Sequence, residues 1–316
     1  MGYVAARVRA DVGATPLGFQ QQNVAGGAEA ALPLGEALNL RVTGLRRPVT
    51  ESVLSYAGQR DPGTGRQWGG VMRTGARAQL EYAVNDRFGI YGGGGWQSLR
   101  GENVAANEMV EAGGGLYYAA IRTPEETLSV GPDLRYFHYN RNLGSFSYGQ
   151  GGYFSPQSQV IGTLGADWKR QWGDLTARVQ ATLGWQRFHE HGAPAFPTDQ
   201  ALQAQLEANP ALGPAGSTAR SVGGPVGGLG ANLEYAVSPT LRLGAIGRFA
   251  HTGNYSDATG LFYLRWRLDQ PPQDLAPLLA GTPTRYPAGS WPMPAMLTNG
   301  APEPVQLNGG AARPVW

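Results

Sequence analysis

Cysteine is absent from the 316-residue chain, which excludes disulfides, thiolate chemistry and Cys-based metal sites together. Long apolar runs are missing too. No stretch approaches the ~20 residues a membrane-spanning helix needs, and mean hydropathy is −0.30. If the chain crosses a membrane, it crosses as strands. Charge of one sign is equally scarce: 25 Lys and Arg against 23 Asp and Glu leave +2, too little to argue for a nucleic-acid partner. What the chain has in excess is glycine, 48 residues beside 23 prolines, yet 41% of its residues are hydrophobic. That balance is neither collagen-like nor that of a wholly disordered chain.

Alternation sets the fold. Leu175, Ala177, Val179, Ala181, Leu183 and Trp185 fall on one face, and Thr176, Arg178, Gln180, Thr182, Gly184 and Gln186 on the other. A β-strand sends successive side chains to opposite faces, so this segment has one apolar side and one polar side. The pattern predicts twelve strands, near 2–11, 23–32, 36–46, 70–84, 87–97, 107–121, 126–139, 158–171, 174–187, 222–237, 240–251 and 257–268. Most reach the ~9–11 residues that a tilted strand needs to cross a bilayer. Tight turns are expected at Leu34-Gly35, Asn85-Asp86, Thr123-Pro124, Trp172-Gly173 and Ser238-Pro239, and longer connections near 12–22, 47–69, 98–106, 140–157, 188–221 and 252–256. Short and long alternate, as periplasmic turns and external loops do in outer-membrane barrels, which puts both ends of the barrel on the periplasmic side. A soluble sheet would have strands nearer ~5–6 residues and no reason to sort its loops by side. The expected fold is therefore all-β: a transmembrane antiparallel up-and-down β-barrel over 1–268, with a Pro-rich, extended or disordered tail over 269–316.

Two segments stand apart from the strands. A short helix is expected from Thr198 to Asn209, capped by Thr198 or Asp199 and stopped by Asn209-Pro210. The N-terminus, Met1-Gly2-Tyr3-Val4-Ala5-Ala6-Arg7, already alternates and has no apolar signal-peptide core. An exported barrel needs such a signal, so the expectation is a C-terminal piece of something longer.

The polar faces should line a lumen, because Arg toward lipid costs up to ~2–4 kcal/mol at mid-membrane. They carry Arg7, Arg9, Arg41, Arg73, Arg77, Arg178, Arg242, Arg248, Arg265 and Arg267 against Glu29, Glu81, Glu111, Asp133, Asp167 and Glu234, so both signs are present and the lumen is no dedicated anion or cation pore. Tyr117, Phe137, Tyr139 and Tyr263 fall on the same faces. Aromatic rings beside hydrogen-bonding groups suit a sugar, whose ring faces are apolar and whose rim is hydroxylated; rings over neighbouring glycines also simply fill space. The glycine runs at 92–95 and 113–115 sit inside strands, with no following helix to hold a phosphate. His189-Glu190-His191 opens a loop without a third ligand nearby, and no histidine sits in a nucleophile motif. No catalytic residue, metal or cofactor is expected.

Two loops are idiosyncratic. One reads Arg47-Pro48-Val49-Thr50-Glu51-Ser52-Val53-Leu54-Ser55-Tyr56-Ala57-Gly58 and continues to Trp68-Gly69-Gly70-Val71; the other reads Tyr148-Gly149-Gln150-Gly151-Gly152-Tyr153-Phe154-Ser155-Pro156-Gln157-Ser158. Both resemble the C-terminal domain of cellulose synthase operon protein C, the outer-membrane, secretin-like partner of bacterial cellulose synthase. The Gly-Gly-Tyr-Phe-Ser-Pro-Gln string is the most specific part, and the resemblance covers about residues 1–268 in layout. It implies a sixteen-stranded outer-membrane barrel in a Gram-negative bacterium, preceded by periplasmic tetratricopeptide repeats that are absent here and that link to the inner-membrane synthase. It implies passage of nascent β-1,4-glucan, with outer-membrane lipid around the barrel and no nucleic acid. The alternative is a structural or adhesin-type barrel without an open polysaccharide pore.

Tyr153, Phe154 and Gln157 from the loop, with Tyr117, Tyr139, Tyr263, Arg73, Arg178 and Arg242 from the wall, are the expected contacts of the glucan. Ser155-Pro156-Gln157 should fold inward and constrict the mouth, with Tyr153 and Phe154 either presented to the cargo or packed as loop anchors. Tyr286, Trp291 and Trp316 offer the tail a way to fold back toward the lower mouth.

Overall fold

Among the described residues thirteen strands form one antiparallel wall. The computed structural model describes residues 2–4, 7–63, 65–252 and 255–266, so the Pro-rich tail lies outside the described residues. The strands are β1 (Gly2–Val4), β2 (Val8–Ala14), β3 (Val24–Pro33), β4 (Leu38–Pro48), β5 (Gln67–Ala83), β6 (Phe88–Glu102) and β7 (Asn107–Arg122), then β8 (Glu126–Tyr139), β9 (Ser158–Trp172), β10 (Leu175–Glu190), β11 (Arg220–Ala236), β12 (Leu241–Thr252) and β13 (Tyr255–Trp266). Each pairs antiparallel with its neighbours in sequence, β1 through β13 in order. Among the described residues no ladder joins β1 to β13. The wall curves nevertheless: Val71 of β5 and Val226 of β11, six strands apart, enter one buried cluster.

The expected boundaries need three corrections. The strand expected over 2–11 is a hairpin, with Gly2 opposite Asp11 and Val4 opposite Arg9. Alternation runs through the turn without a Gly, Pro or Asn to mark it, so the pattern alone cannot see the reversal. The odd strand count that results puts the two described ends on opposite sides of the wall. Loop lengths are also less regular than expected. Only four residues separate β6 from β7 and two separate β12 from β13, because these strands run further than the alternation suggested.

The short turns are built by their side chains. Asn85 Oδ1 accepts the N–H groups of Arg87 and Phe88 at 2.9 and 2.8 Å. Thr123 Oγ1 accepts Glu126 N–H at 2.9 Å, and Ser238 Oγ accepts Leu241 N–H at 3.0 Å. Such local bonds satisfy backbone donors that a two-stranded corner would leave bare.

Strands β5 to β11 run 14–17 residues each, longer than a bilayer crossing needs, so they project beyond it. Their outer face is an apolar belt. Leu134, Leu164, Leu183 and Leu229 are exposed at its middle, Leu183 to 74%. Tyr82, Trp172 and Tyr235, with Trp266 of β13, are exposed near the turn end, and Trp96, Tyr136 and Trp185 toward the loop end. An apolar band between two aromatic girdles is the exterior a lipid bilayer selects.

Among the described residues two short α-helices sit in the loops. The expected one spans Gln200–Ala208 with Asp199 as its cap, whose carboxylate accepts Leu202 N–H at 3.1 Å. A second, Val53–Ala57, was not expected; Ser52 and Ser55 cap each other reciprocally at its start.

Candidate lumen and mouth

The inner face is polar, and many of its charges are paired. Arg41 lies 3.3 Å from Glu29 and 3.4 Å from Glu81; Arg77 bonds Glu111 at 2.9 Å; Arg135 bonds Asp133 at 2.5 Å. Arg178 grips Asp167 with two nitrogens, at 2.9 and 2.5 Å. Arg242 and Arg265 share Glu234. Most of these pairs are diagonal across neighbouring strands, where long side chains still meet.

Aromatic rings roof glycines on the same face. Tyr91 lies over Gly115, where a Cβ would sit 2.6 Å from the phenolic oxygen, and the Tyr91 hydroxyl donates to Asp133 at 2.6 Å. Tyr117 covers Gly89 and Tyr263 covers Gly244 in the same way. The glycine runs thus make room for rings within a twisted wall.

The lumen is not evenly filled. Gln79, Glu81, Gln97, Glu111 and Arg135, on the β5–β8 side, are each less than a tenth exposed. On the β10–β13 side the side chains of Arg178 and Arg265 keep 33% and 32% of their surface open. A Cβ built on Gly230, beside Gln180 and Arg248 in register, would meet nothing within 4 Å.

At the loop end two loops fold into the mouth. Val71, Leu99, Met109, Phe137, Tyr139, Ile161 and Val226 point inward from the wall, and Val49, Leu143 and Tyr153 from the loops close over them. A smaller cluster of Leu54, Trp68 and Tyr148 lies beside it, with Phe196 of the longest loop packed on top. The two quoted strings explain the placement. Gly69 (φ 104°) and Gly70 (φ 58°) make a bulge in β5 where its register with β6 shifts, and Leu54 sits so close to Gly69 that no side chain fits there. Gly149 (φ 92°) and Gly152 (φ 65°) turn the second loop back on itself.

The expected contact residues divide accordingly. Tyr153 is 2% exposed and its hydroxyl accepts from Asn107 Nδ2 at 3.2 Å. Gln157 is spent on the loop: its Nε2 donates to Ser155 O at 3.0 Å and its Oε1 accepts His191 N–H at 2.6 Å. Tyr139 packs near Tyr153, ring centroids 6.4 Å apart, and Tyr117 is buried over its glycine. Phe154 keeps some exposure and stands edge-on to Phe188 at 4.9 Å. Tyr263, Arg73, Arg178 and Arg242 are half-buried on the lumen side. The expected contacts are therefore not brought together at one site; the mouth holds Tyr153, Phe154, Gln157 and Tyr139, and the rest spread around the wall.

The family model for the C-terminus of cellulose synthase operon protein C matches residues 1–269. The chain belongs to this family. Cellulose synthase 2 operon protein C of Komagataeibacter xylinus is 39% identical over 275 residues, 85% of this chain and 20% of that relative. Cellulose synthase operon protein C of Xanthomonas axonopodis pv. citri is 35% identical over 273 residues, 83% and 18%. The chain spans about a fifth of the length of these relatives. A solved structure described as a bacterial polysaccharide outer membrane secretin aligns with a TM-score of 0.49 at 11% identity, covering 84% of this chain and 78% of that one.

In this member of the cellulose synthase operon protein C family, a lipid-facing antiparallel wall is an outer-membrane wall. Its mouth also holds a residue that the alternation pattern could not single out. Glu51, in the first folded-in loop, accepts Phe154 N–H at 2.6 Å across 103 residues of sequence. Burial pushes its carboxyl up to about 7, against the opposing pull of that N–H and of the Arg73 charge.

Proposed function

We propose that the chain forms the outer-membrane wall of a passive channel for an extended β-1,4-glucan made at the inner membrane. The pairing of the lumen charges supports this most directly. Five groups of opposite charges pair around the wall, the Arg41–Glu29–Glu81 group left one negative and the Arg242–Arg265–Glu234 group one positive, so the lumen offers polar atoms and ring faces of mixed sign. A neutral, polyhydroxylated chain can exchange hydrogen bonds along such a surface, while an ion finds no ring of one sign to select it. Many weak contacts also suit passage, since a tight site would stall the cargo. The family's name supplies the polymer, cellulose.

We read the channel as doing no chemistry of its own. His189 and His251 lie 2.8 and 2.9 Å from Ser221 and Ser256, but each contact is a cross-strand pair at Nδ1, with no carboxylate hydrogen-bonded to either ring among the described contacts. The folded-in loops favour one competing reading, a structural or adhesin-type barrel that never opens. A planar-bilayer recording separates the two, because a permanently plugged scaffold shows no open conductance at any voltage.

Gly230 gives the sharper test. Its Cβ would enter open lumen, so Gly230→Trp should assemble normally and narrow the less filled side. The expected result is a severalfold fall in cellulose released to the medium, with unchanged amounts of folded protein in the outer membrane. Undiminished export from that variant would show that the glucan does not run along β10–β13.

A further inference from the structure

We propose that the Glu51 carboxyl is a proton-sensitive latch for the folded-in loops: protonated, it stays seated among them; ionised, it drives them out of the mouth. This rests on the channel reading above and adds regulation to the same mouth. The geometry supplies the latch. Glu51 belongs to the loop after β4, yet its Oε2 holds the backbone N–H of Phe154 in the loop after β8. Phe154 follows Tyr153, whose fully buried ring anchors that loop to β7 and β8 through Asn107 and Tyr139. Moving Phe154 therefore strains the anchor next to it.

The groups facing Glu51 leave it poorly compensated. Arg73 from β5 is the charge that acts on it, while Tyr139 from β8 and Tyr153 from the loop present neutral hydroxyls. Glu51 is half-buried, and one backbone N–H and one cation acting through space do not replace the water that its ionised carboxylate loses there.

The sign follows from linkage. With the loops folded in, Glu51 stays protonated up to about 7; with the loops swung out into water it reverts to the ordinary 4.5. Folding in takes up a proton between these values, so its contribution is complete below the lower one and is lost as pH rises through the upper. For a single group with these two values, the closed-to-open ratio rises about 30-fold from pH ~8 to pH ~5.5. Acid shuts the mouth and alkali loosens it.

Single-channel recording of the intact protein in planar bilayers, over about pH 5.5 to 8, tests this. Wild type, Glu51→Gln, His138→Gln and Tyr153→Ala are compared. Open probability of the wild type should climb with pH. Glu51→Gln should stay closed at every pH, since the amide is neutral and its oxygen still accepts the Phe154 N–H. A flat wild-type profile, with Tyr153→Ala conducting, overturns the latch even if Glu51→Gln fails to assemble. So does an unchanged profile in Glu51→Gln, or one abolished only in His138→Gln, whose ring contacts Gln157 O. Silence of Tyr153→Ala at every pH overturns the channel reading, and the latch with it.

Discussion

Tyr153→Ala should turn a mostly closed channel into a leaky one while leaving the wall intact. Removing a wholly buried aromatic ring from a packed cluster costs about 3–5 kcal/mol. Here that cost falls on the loops, because residue 153 lies between β8 and β9 and takes no part in any ladder. The wall members of its cluster, Val71, Met109 and Phe137, lie in strands whose pairing does not depend on it. The hydroxyl's bond from Asn107 is lost as well. The expected phenotype is a higher basal conductance and greater entry of large antibiotics, with the folded form still resisting heat in unheated gels. Wild-type permeability in that variant near neutral pH, with openings still recorded at alkaline pH, would mean that the occlusion is held elsewhere.

Leu183→Arg should abolish assembly where Thr182→Arg, one residue away, does not. Leu183 is the most exposed of the central belt leucines and is flanked in register by Leu164 and Gly227, so an arginine there meets hydrocarbon. The cost is about 2–4 kcal/mol at mid-membrane. Thr182 faces the less filled side of the lumen, between Gly165 and Gly228, where a guanidinium can reach water. The measurement is the amount of heat-modifiable protein in outer membranes for the two variants. Equal tolerance would break the division into lipid and lumen faces on which every lumen statement depends.

That division was legible in the sequence, since period-two alternation is a local property and survives any error of boundary. Residues such as Leu183 and Arg178 fall on opposite faces whatever the register. Which charge meets which was not legible. Asp167 stands opposite Gln180, and Arg178 reaches it only diagonally, so the pair depends on the stagger between β9 and β10. Glu-for-Arg exchange at 178 would therefore set two carboxylates side by side, a larger disturbance than its water-facing position suggested.

The family string was visible as a motif but not as a structure. Sequence chemistry offered Tyr153 and Phe154 equally as contacts or anchors, and only the converging strands bury the first and leave the second part-exposed. The helix at Val53–Ala57 escaped notice because five residues hold little more than one turn of periodicity.

The strand order has a consequence for how the molecule is made. Every wall strand pairs with the one before it, so each addition closes only a short stretch of chain and meets a small entropic barrier. The occluding cluster is different in kind. It needs Val49, Tyr153 and Val226 at once, residues drawn from either side of six intervening strands. No partial wall that ends before β11 can complete it. Biogenesis should thus run as a progression of local hairpins with the mouth still unsealed, and sealing should come late, as a separate and slower event.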